Sequence, residues 1–293
     1  MHPERTNPER VRKAPGRIVW VTAGLLLSAC GGGGGGETGT EAVVVEGDFP
    51  VVFAKRDVAA VGNPTDGTIF RPGGDLMLRD LSSPSAETVN ITASYTQGTG
   101  DVSDPEVSYD GRRVLFSMRG PNDRTWNVWE YDLDTEGLHR LIGDDAVADE
   151  GDDVDPAYLP DGRIIFSSNR QEKSRAVLAA DNVEPYPHLD EYERERAILL
   201  HVMNGDGTEI RQISFNQSHD RNPTVLSTGE IMFARWDHVG NNNHFPIFFT
   251  NPDGTNMFVL YGAFSPGNSF LHPREMPDGR VLSSLMPLSG TRE

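Results

Sequence analysis

One segment occurs four times in the chain, and its recurrence limits the fold more than any other feature. Asp104-Pro105-Glu106-Val107-Ser108-Tyr109-Asp110-Gly111-Arg112-Arg113-Val114-Leu115-Phe116-Ser117-Met118-Arg119 returns as Asp155-Pro156, then Asp161-Gly162-Arg163-Ile164-Ile165-Phe166-Ser167, then Arg170. A third copy runs from Asn222-Pro223 through Gly229-Glu230-Ile231-Met232-Phe233-Ala234-Arg235, and a fourth from His272-Pro273 through Asp278-Gly279-Arg280-Val281-Leu282. The turn glycines Gly111, Gly162, Gly229 and Gly279 lie 51, 67 and 50 residues apart, which is one period with about 16 extra residues in the middle interval.

Each copy reads as strand, tight turn, strand. Glycine supplies the positive φ of a hairpin turn, and the preceding Asp tolerates left-handed geometry beside it. The apolar run that follows, as in Ile164-Ile165-Phe166, predicts a strand covered on both faces. A second pair of strands follows in each unit, around Asp132-Leu133-Asp134, Asn204-Gly205-Asp206-Gly207 and Asn251-Pro252-Asp253-Gly254. Four strands per unit is the pattern of a β-propeller, whereas a helical solenoid would show a 3.6-residue period inside each unit. With residues 49–56 as a degenerate first unit, the chain is expected to be an all-β propeller of four-stranded blades, four complete or nearly so and the opening of a fifth.

These repeats resemble the propeller family typified by the periplasmic TolB protein, whose units carry Asp-Pro, then Asp-Gly-Arg or Asp-Gly-Lys, then an apolar strand ending in Ser and Arg. The resemblance covers about residues 49–285. The wording His201-Val202-Met203-Asn204-Gly205-Asp206-Gly207-Thr208, Thr228-Gly229-Glu230-Ile231-Met232-Phe233-Ala234-Arg235-Trp236-Asp237 and Asn251-Pro252-Asp253-Gly254-Thr255-Asn256 is similar to the middle propeller of proteins related to the hydrazine synthase alpha subunit. A closed ring of this kind uses six or more blades, so the resemblance implies an incomplete ring, truncated or closed by a partner. It also implies flanking parts with c-type haem, but this sequence holds no Cys-x-x-Cys-His motif.

The first 29 residues read as an export signal. Arg5, Arg10, Arg12, Lys13 and Arg17 precede an apolar run from Ile18 to Leu27, about ten residues and too short to anchor stably across a bilayer. Leu27-Ser28-Ala29-Cys30 resembles the lipobox of bacterial lipoproteins, which implies cleavage before Cys30 and acylation of its thiol. Gly31 to Gly36 and the polar residues after them cannot bury enough apolar surface to order themselves, so residues 30–46 read as a flexible Gly-rich tether before a propeller domain at 47–293. By the same resemblance, a residue other than Asp after the cysteine points to the periplasmic face of the outer membrane, with membrane contact through the lipid on Cys30.

Composition narrows the partners. The formal charge is −18, and the basic residues crowd the leader, so nucleic acid would be repelled. The single cysteine removes disulfides, Cys-based zinc sites and iron–sulfur clusters from the mature fold, and no cofactor is implied. No Gly-x-Ser-x-Gly elbow supports serine hydrolysis.

His219-Asp220, Trp236-Asp237-His238 and His244 form the densest histidine grouping, where loops of two hairpins could converge, so His219, Asp220, His238 and His244 are the candidate metal ligands. The competing reading makes them ordinary polar loop residues. His201 and His272 occupy strand positions and read as packed core. The acidic stretch Asp144-Asp145 with Asp149-Glu150-Gly151-Asp152-Asp153 lacks a regular calcium loop and reads as a solvated linker between blades. The insertion at residues 171–196 is either a rim element with a short helix or a disordered loop, and rim insertions commonly carry binding determinants. The chain is therefore expected to be an exported lipoprotein that binds an envelope protein or ligand. The alternative is the propeller part of a larger exported enzyme.

Overall fold

The repeated strand-turn-strand segments become the first two strands of successive antiparallel sheets in the computed structural model, which describes residues 49–287 apart from 61, 84, 184–185, 240–241 and 266. The first sheet has three strands, β1 (Val51–Lys55), β2 (Asp75–Arg79) and β3 (Thr88–Asn90). Three four-stranded sheets follow. They are β4 (Asp101–Val107), β5 (Arg113–Arg119), β6 (Asn127–Asp132) and β7 (Gly137–Arg140); β8 (Asp153–Tyr158), β9 (Ile164–Ser168), β10 (Leu199–Met203) and β11 (Arg211–Gln212); and β12 (Asp220–Val225), β13 (Ile231–Arg235), β16 (Ile247–Thr250) and β17 (Phe258–Tyr261). A side hairpin, β14 (Asp237–Val239) and β15 (Asn242–His244), interrupts the last of these. The fifth sheet has two described strands, β18 (Asn268–Glu275) and β19 (Val281–Pro287). The described residues form one compact unit, and its sheets are blades of an all-β, propeller-like fold. The expected signal peptide at 1–29, lipidated Cys30 and tether at 30–46 lie outside the described residues.

The doubly apolar second strands are explained by what lies on each side of them. Phe116 packs toward the first blade with Leu76, Val102 and Trp129, while its neighbour Leu115 packs toward the third with Tyr158 and Phe166. Ile165 turns the other way, into a cluster with Leu200, Ile231 and Phe233. Ala234, Trp236 and Phe245 then meet Leu271 and Met286 of the fifth blade. Each blade interface thus owns an apolar core, and each fully buried Leu, Ile or Phe there contributes about 1.5–3 kcal/mol. The Asp-Gly turns behave as read, with φ of 70° at Gly111 and 87° at Gly162.

A buried ion pair recurs with the blades. Asp153, opening β8, accepts Nε of Arg170 at 3.0 Å and Nη2 at 2.5 Å, and also Oγ of Ser168 at 2.6 Å. Asp220, opening β12, accepts both arms of Arg235 at 2.8 Å. Asp101, opening β4, takes Arg56 of the preceding blade instead, at 2.9 and 2.6 Å. Its own blade's Arg119 lies over the Phe70 ring and donates to the Asp123 carbonyl.

The acidic linker expected at residues 144–153 is corrected by the same geometry. Asp144 caps helix Asp145–Ala148 by accepting from the amides of Ala146 and Val147, and Asp152 and Asp153 are built into the third blade. The insertion at 171–196 carries a helix, Glu172–Ala180.

The Arg170 side chain is 1% exposed and that of Asp153 is fully buried, so removing either partner leaves an uncompensated charge. Arg170→Met is expected to cost about 3–5 kcal/mol in urea unfolding. Arg112→Met, at an exposed pair with Asp134, should leave the transition where it was.

Candidate functional site

Proline has no N–H to give to a β-ladder, and each inner strand carries one at its second repeat position. The ladder breaks there in every copy: between Ser103 and Glu106, Val154 and Ala157, Arg221 and Thr224, and Leu271 and Arg274. The residue before each proline carries the bulge at positive φ, 55° at Asp104, 54° at Asp155, 53° at Asn222 and 48° at His272. Asp, Asn and His are the non-glycine residues that enter this region most readily, at a cost of about 1–3 kcal/mol each. A bulge re-aims its side chain. Here all four line a single cavity of about 350 Å³ among the inner strands.

The bulges are also tied to one another. Asn222 donates its amide to Asp155 Oδ2 at 3.1 Å and its Nδ2 to Oδ1 at 3.0 Å, and the His272 amide donates to Asn222 Oδ1 at 3.3 Å. The fourth and fifth blades thus each hand a main-chain N–H to the bulge side chain of the blade before it. Asp104 accepts Ser103 Oγ at 2.6 Å. Burial, with the charge of Asp155 adding to it, holds the Asp104 carboxyl above the usual carboxylate range, against the pull of Ser103, His272 and Arg56.

The connection from β1 to β2 covers one side of this cavity and contributes Ala60, Asn63, Pro64 and Thr68 to its wall. Arg221 Nη1 holds the connection by donating to the carbonyls of Pro64 at 3.0 Å and Asp66 at 3.1 Å, and Thr68 Oγ1 donates to Asp152. Arg221 forms no carboxylate pair among the described residues. These contacts join residues 84 to 157 apart in sequence, and nothing local announces them.

The histidine grouping does not assemble as expected. His219 is buried; its Nδ1 accepts the Ile198 amide at 3.1 Å, which leaves Nε2 to donate to the Thr65 carbonyl at 3.3 Å. Asp220 is committed to Arg235. His238 Nδ1 lies 2.7 Å from Glu191 Oε2, and His244 is buried with Nε2 3.9 Å from Asp237 Oδ2. The candidate metal set His219, Asp220, His238 and His244 is therefore split among separate partners. Among the described residues, no group of three or more His, Cys, Asp and Glu side chains could hold a metal ion. His201 is core, as read, with Nδ1 donating to the Leu199 carbonyl and its ring stacked on Phe166. His272 is the reverse: exposed, and part of the cavity wall.

The signal for the cavity was present in the sequence but was read only as a repeat marker. The four residues before proline are Asp, Asp, Asn and His, all tolerant of left-handed backbone. On the rim, the insertion helix and Tyr186, Leu189 and Phe215 line a second groove of about 730 Å³.

No protein-family model and no curated protein sequence matches the chain. Among solved structures it is similar to hydrazine synthase of Kuenenia stuttgartiensis, with a TM-score of 0.62 and 18% identity, covering 81% of this chain and 36% of that one. It also aligns with a putative TolB from Agrobacterium tumefaciens (TM-score 0.47, 17% identity, 73% of this chain and 66% of that one). TolB from Acinetobacter baumannii aligns at a TM-score of 0.45 and 18% identity, over 74% of this chain and 47% of that one. The likeness to hydrazine synthase is one of fold, and the chain spans about a third of that protein's length.

Burial pushes His201 and His219 down from 6.5 to about 3. Between those values the unfolded chain binds protons that the native state refuses, so these groups make stability rise with pH toward about 6.5 and fall on acidification. The slope is at most about 1.4 kcal/mol per pH unit for each histidine. Urea titrations at several pH values should show a shallower acid slope in His201→Gln/His219→Gln than in the wild type.

Proposed function

We infer that the chain is an exported, lipid-anchored propeller module that binds a small organic cation in its axial cavity. The observation that carries this reading is the convergence of four bulge residues on one covered cavity, with the Asp104 carboxyl held in an unfavourable environment for its charge. An ammonium group placed beside Asp104 and Asp155 would offset the desolvation, and with it the repulsion from Asp155, that hold the Asp104 pKa up. The guanidinium of Arg56 is already neutralised by Asp101, and that of Arg221 is engaged by carbonyls. A body of formal charge −18 draws cations toward the cavity from solution.

Anchoring rests on the leader, Cys30 and the glycine run. In a bacterial host, labelled palmitate is expected to enter the wild-type chain and the membrane fraction, and Cys30→Ser should abolish both. A variant that still carries the label would remove the anchor from this reading.

The cavity is tested with 1,4-diaminobutane and its uncharged counterpart 1,4-butanediol by titration calorimetry. The diamine is expected to bind with release of a proton, because the cation lowers the Asp104 pKa, and Asp104→Asn should weaken it at least about tenfold, or 1.4 kcal/mol. Equal binding of diamine and diol, or an unchanged affinity in Asp104→Asn, would overturn the assignment.

A second reading is favoured by the alignment with 36% of hydrazine synthase, a much longer chain. In it the propeller is the scaffold part of a larger exported enzyme. A catalytic or haem-attachment motif in the continuing coding sequence would favour it over a stand-alone binding module.

A further inference from the structure

The rim insertion builds a groove that neither the blades nor the axial cavity uses. One wall is the helix Glu172–Ala180, of whose nine residues five are Ala, Val or Leu and none is buried. The other wall runs from Pro187 to Glu193, and Phe215, 62% exposed, completes with Gln217 a space of about 730 Å³. Both walls are fastened. Gln171, buried at the foot of the helix, donates to the carbonyls of His188 at 2.6 Å and Ala197 at 3.2 Å and accepts the His188 amide at 2.8 Å. The Lys173 amide donates to Gln212 Oε1 at 3.0 Å, which ties the helix to β11 of the third blade.

The second wall presents open main chain. Leu189 bridges Arg196 as an antiparallel pair whose two hydrogen bonds come from the neighbours, the Ala197 amide to the His188 carbonyl and the Asp190 amide to the Glu195 carbonyl. In such a pair the N–H and C=O of the middle residue point away from the partner strand, and those of Leu189 have no hydrogen bond among the described residues. Two residues on, and so on the same side, the Glu191 amide donates to Ser218 Oγ, which turns that side toward the connection carrying Phe215. Charge then divides the groove. Asp190 is engaged by the amides of Tyr192 and Arg194 in its own turn, and Glu191 lies 2.7 Å from His238. Glu193 on one wall and Lys173 on the other are exposed and have no ion partner among the described residues.

We propose that this groove takes an extended peptide segment of another protein, which adds as a short strand to Leu189. A donor and an acceptor side by side on one edge residue are matched by one residue of an extended chain, which exchanges both hydrogen bonds with it. The segment's apolar side chains lie against Val177, Leu178 and Phe215. Its ends carry opposite charges, a basic residue toward Glu193 and an acidic one toward Lys173. Main-chain pairing supplies affinity that is indifferent to sequence, whereas the apolar contacts and the two end charges select the partner and fix its direction.

The test pans the full chain, carrying Cys30→Ser so that the thiol does not contribute, against a phage library of random heptapeptides. Enriched sequences are expected to be apolar at alternate inner positions, with Lys or Arg at one end and Asp or Glu at the other. A synthetic copy of an enriched peptide should lose at least about tenfold in affinity when one inner residue is N-methylated, since that removes a main-chain donor. Phe215→Ser and Glu193→Lys, both at exposed positions that folding does not need buried, should each weaken the same peptide about tenfold while leaving the circular dichroism unchanged. Glu193→Lys/Lys173→Glu should instead select peptides with the end charges exchanged. A library without enrichment overturns the proposal, as does a peptide that tolerates N-methylation at every inner position. Binding that persists unchanged in Phe215→Ser and Glu193→Lys would also overturn it, by placing the peptide elsewhere on the molecule.

Discussion

The missing N–H of one proline per repeat is the constraint on which the rest of the structure depends. An inner strand that cannot continue its ladder at that point must bulge, and the residue before the proline takes the positive φ. That distortion turns Asp104, Asp155, Asn222 and His272 toward the cavity at the axis and lets the amides of Asn222 and His272 bond across blades. Fold and site therefore share one cause. The backbone cost of the bulges, several kcal/mol in sum by the usual range, is met by the apolar cores on either side of each blade.

The buried Asp–Arg pairs do a different job. Desolvating two charges roughly cancels their attraction, so such a pair adds little net stability over an apolar replacement of the same volume. What it supplies is position. Asp153 with Arg170 and Asp220 with Arg235 each fasten the start of an inner strand to the end of its neighbour, where the ladder alone would allow fraying. At Asp101 the partner is Arg56 from the end of β1, which ties the three-stranded first blade to the complete second one. The connection that covers the cavity begins at that arginine.

Much of this was legible in the sequence because it is periodic. The turn glycines, the doubly apolar second strands and the count of blades all follow from residues that repeat near every 50 positions, and the structure places them as read. The bulges were half legible: the proline and the tolerant residue before it were visible, but not the convergence of four side chains on one cavity. The His219-Asp220 pair and the acidic stretch depart from expectation for a common reason. Asp152, Asp153, His219 and Asp220 look polar and loop-like in sequence, yet their partners, Trp126, Arg170, Thr65 and Arg235, lie 15 to 154 residues away and convert them into buried structural groups.

His219 shows how the seam between blades and the cover of the cavity are joined in one side chain. Its neutral ring accepts from the Ile198 amide on one nitrogen and donates to the Thr65 carbonyl with the other, so it spans the third blade, the fourth blade and the connection over the cavity. A proton added to Nδ1 would remove the acceptor and set two N–H groups against each other. The buried ring, tilted against Trp236 and near the positive charge of Arg221, opposes that proton. The neutral imidazole thus keeps the third and fourth blades fastened at this seam, and a metal ion on Nδ1 would compete for the same lone pair.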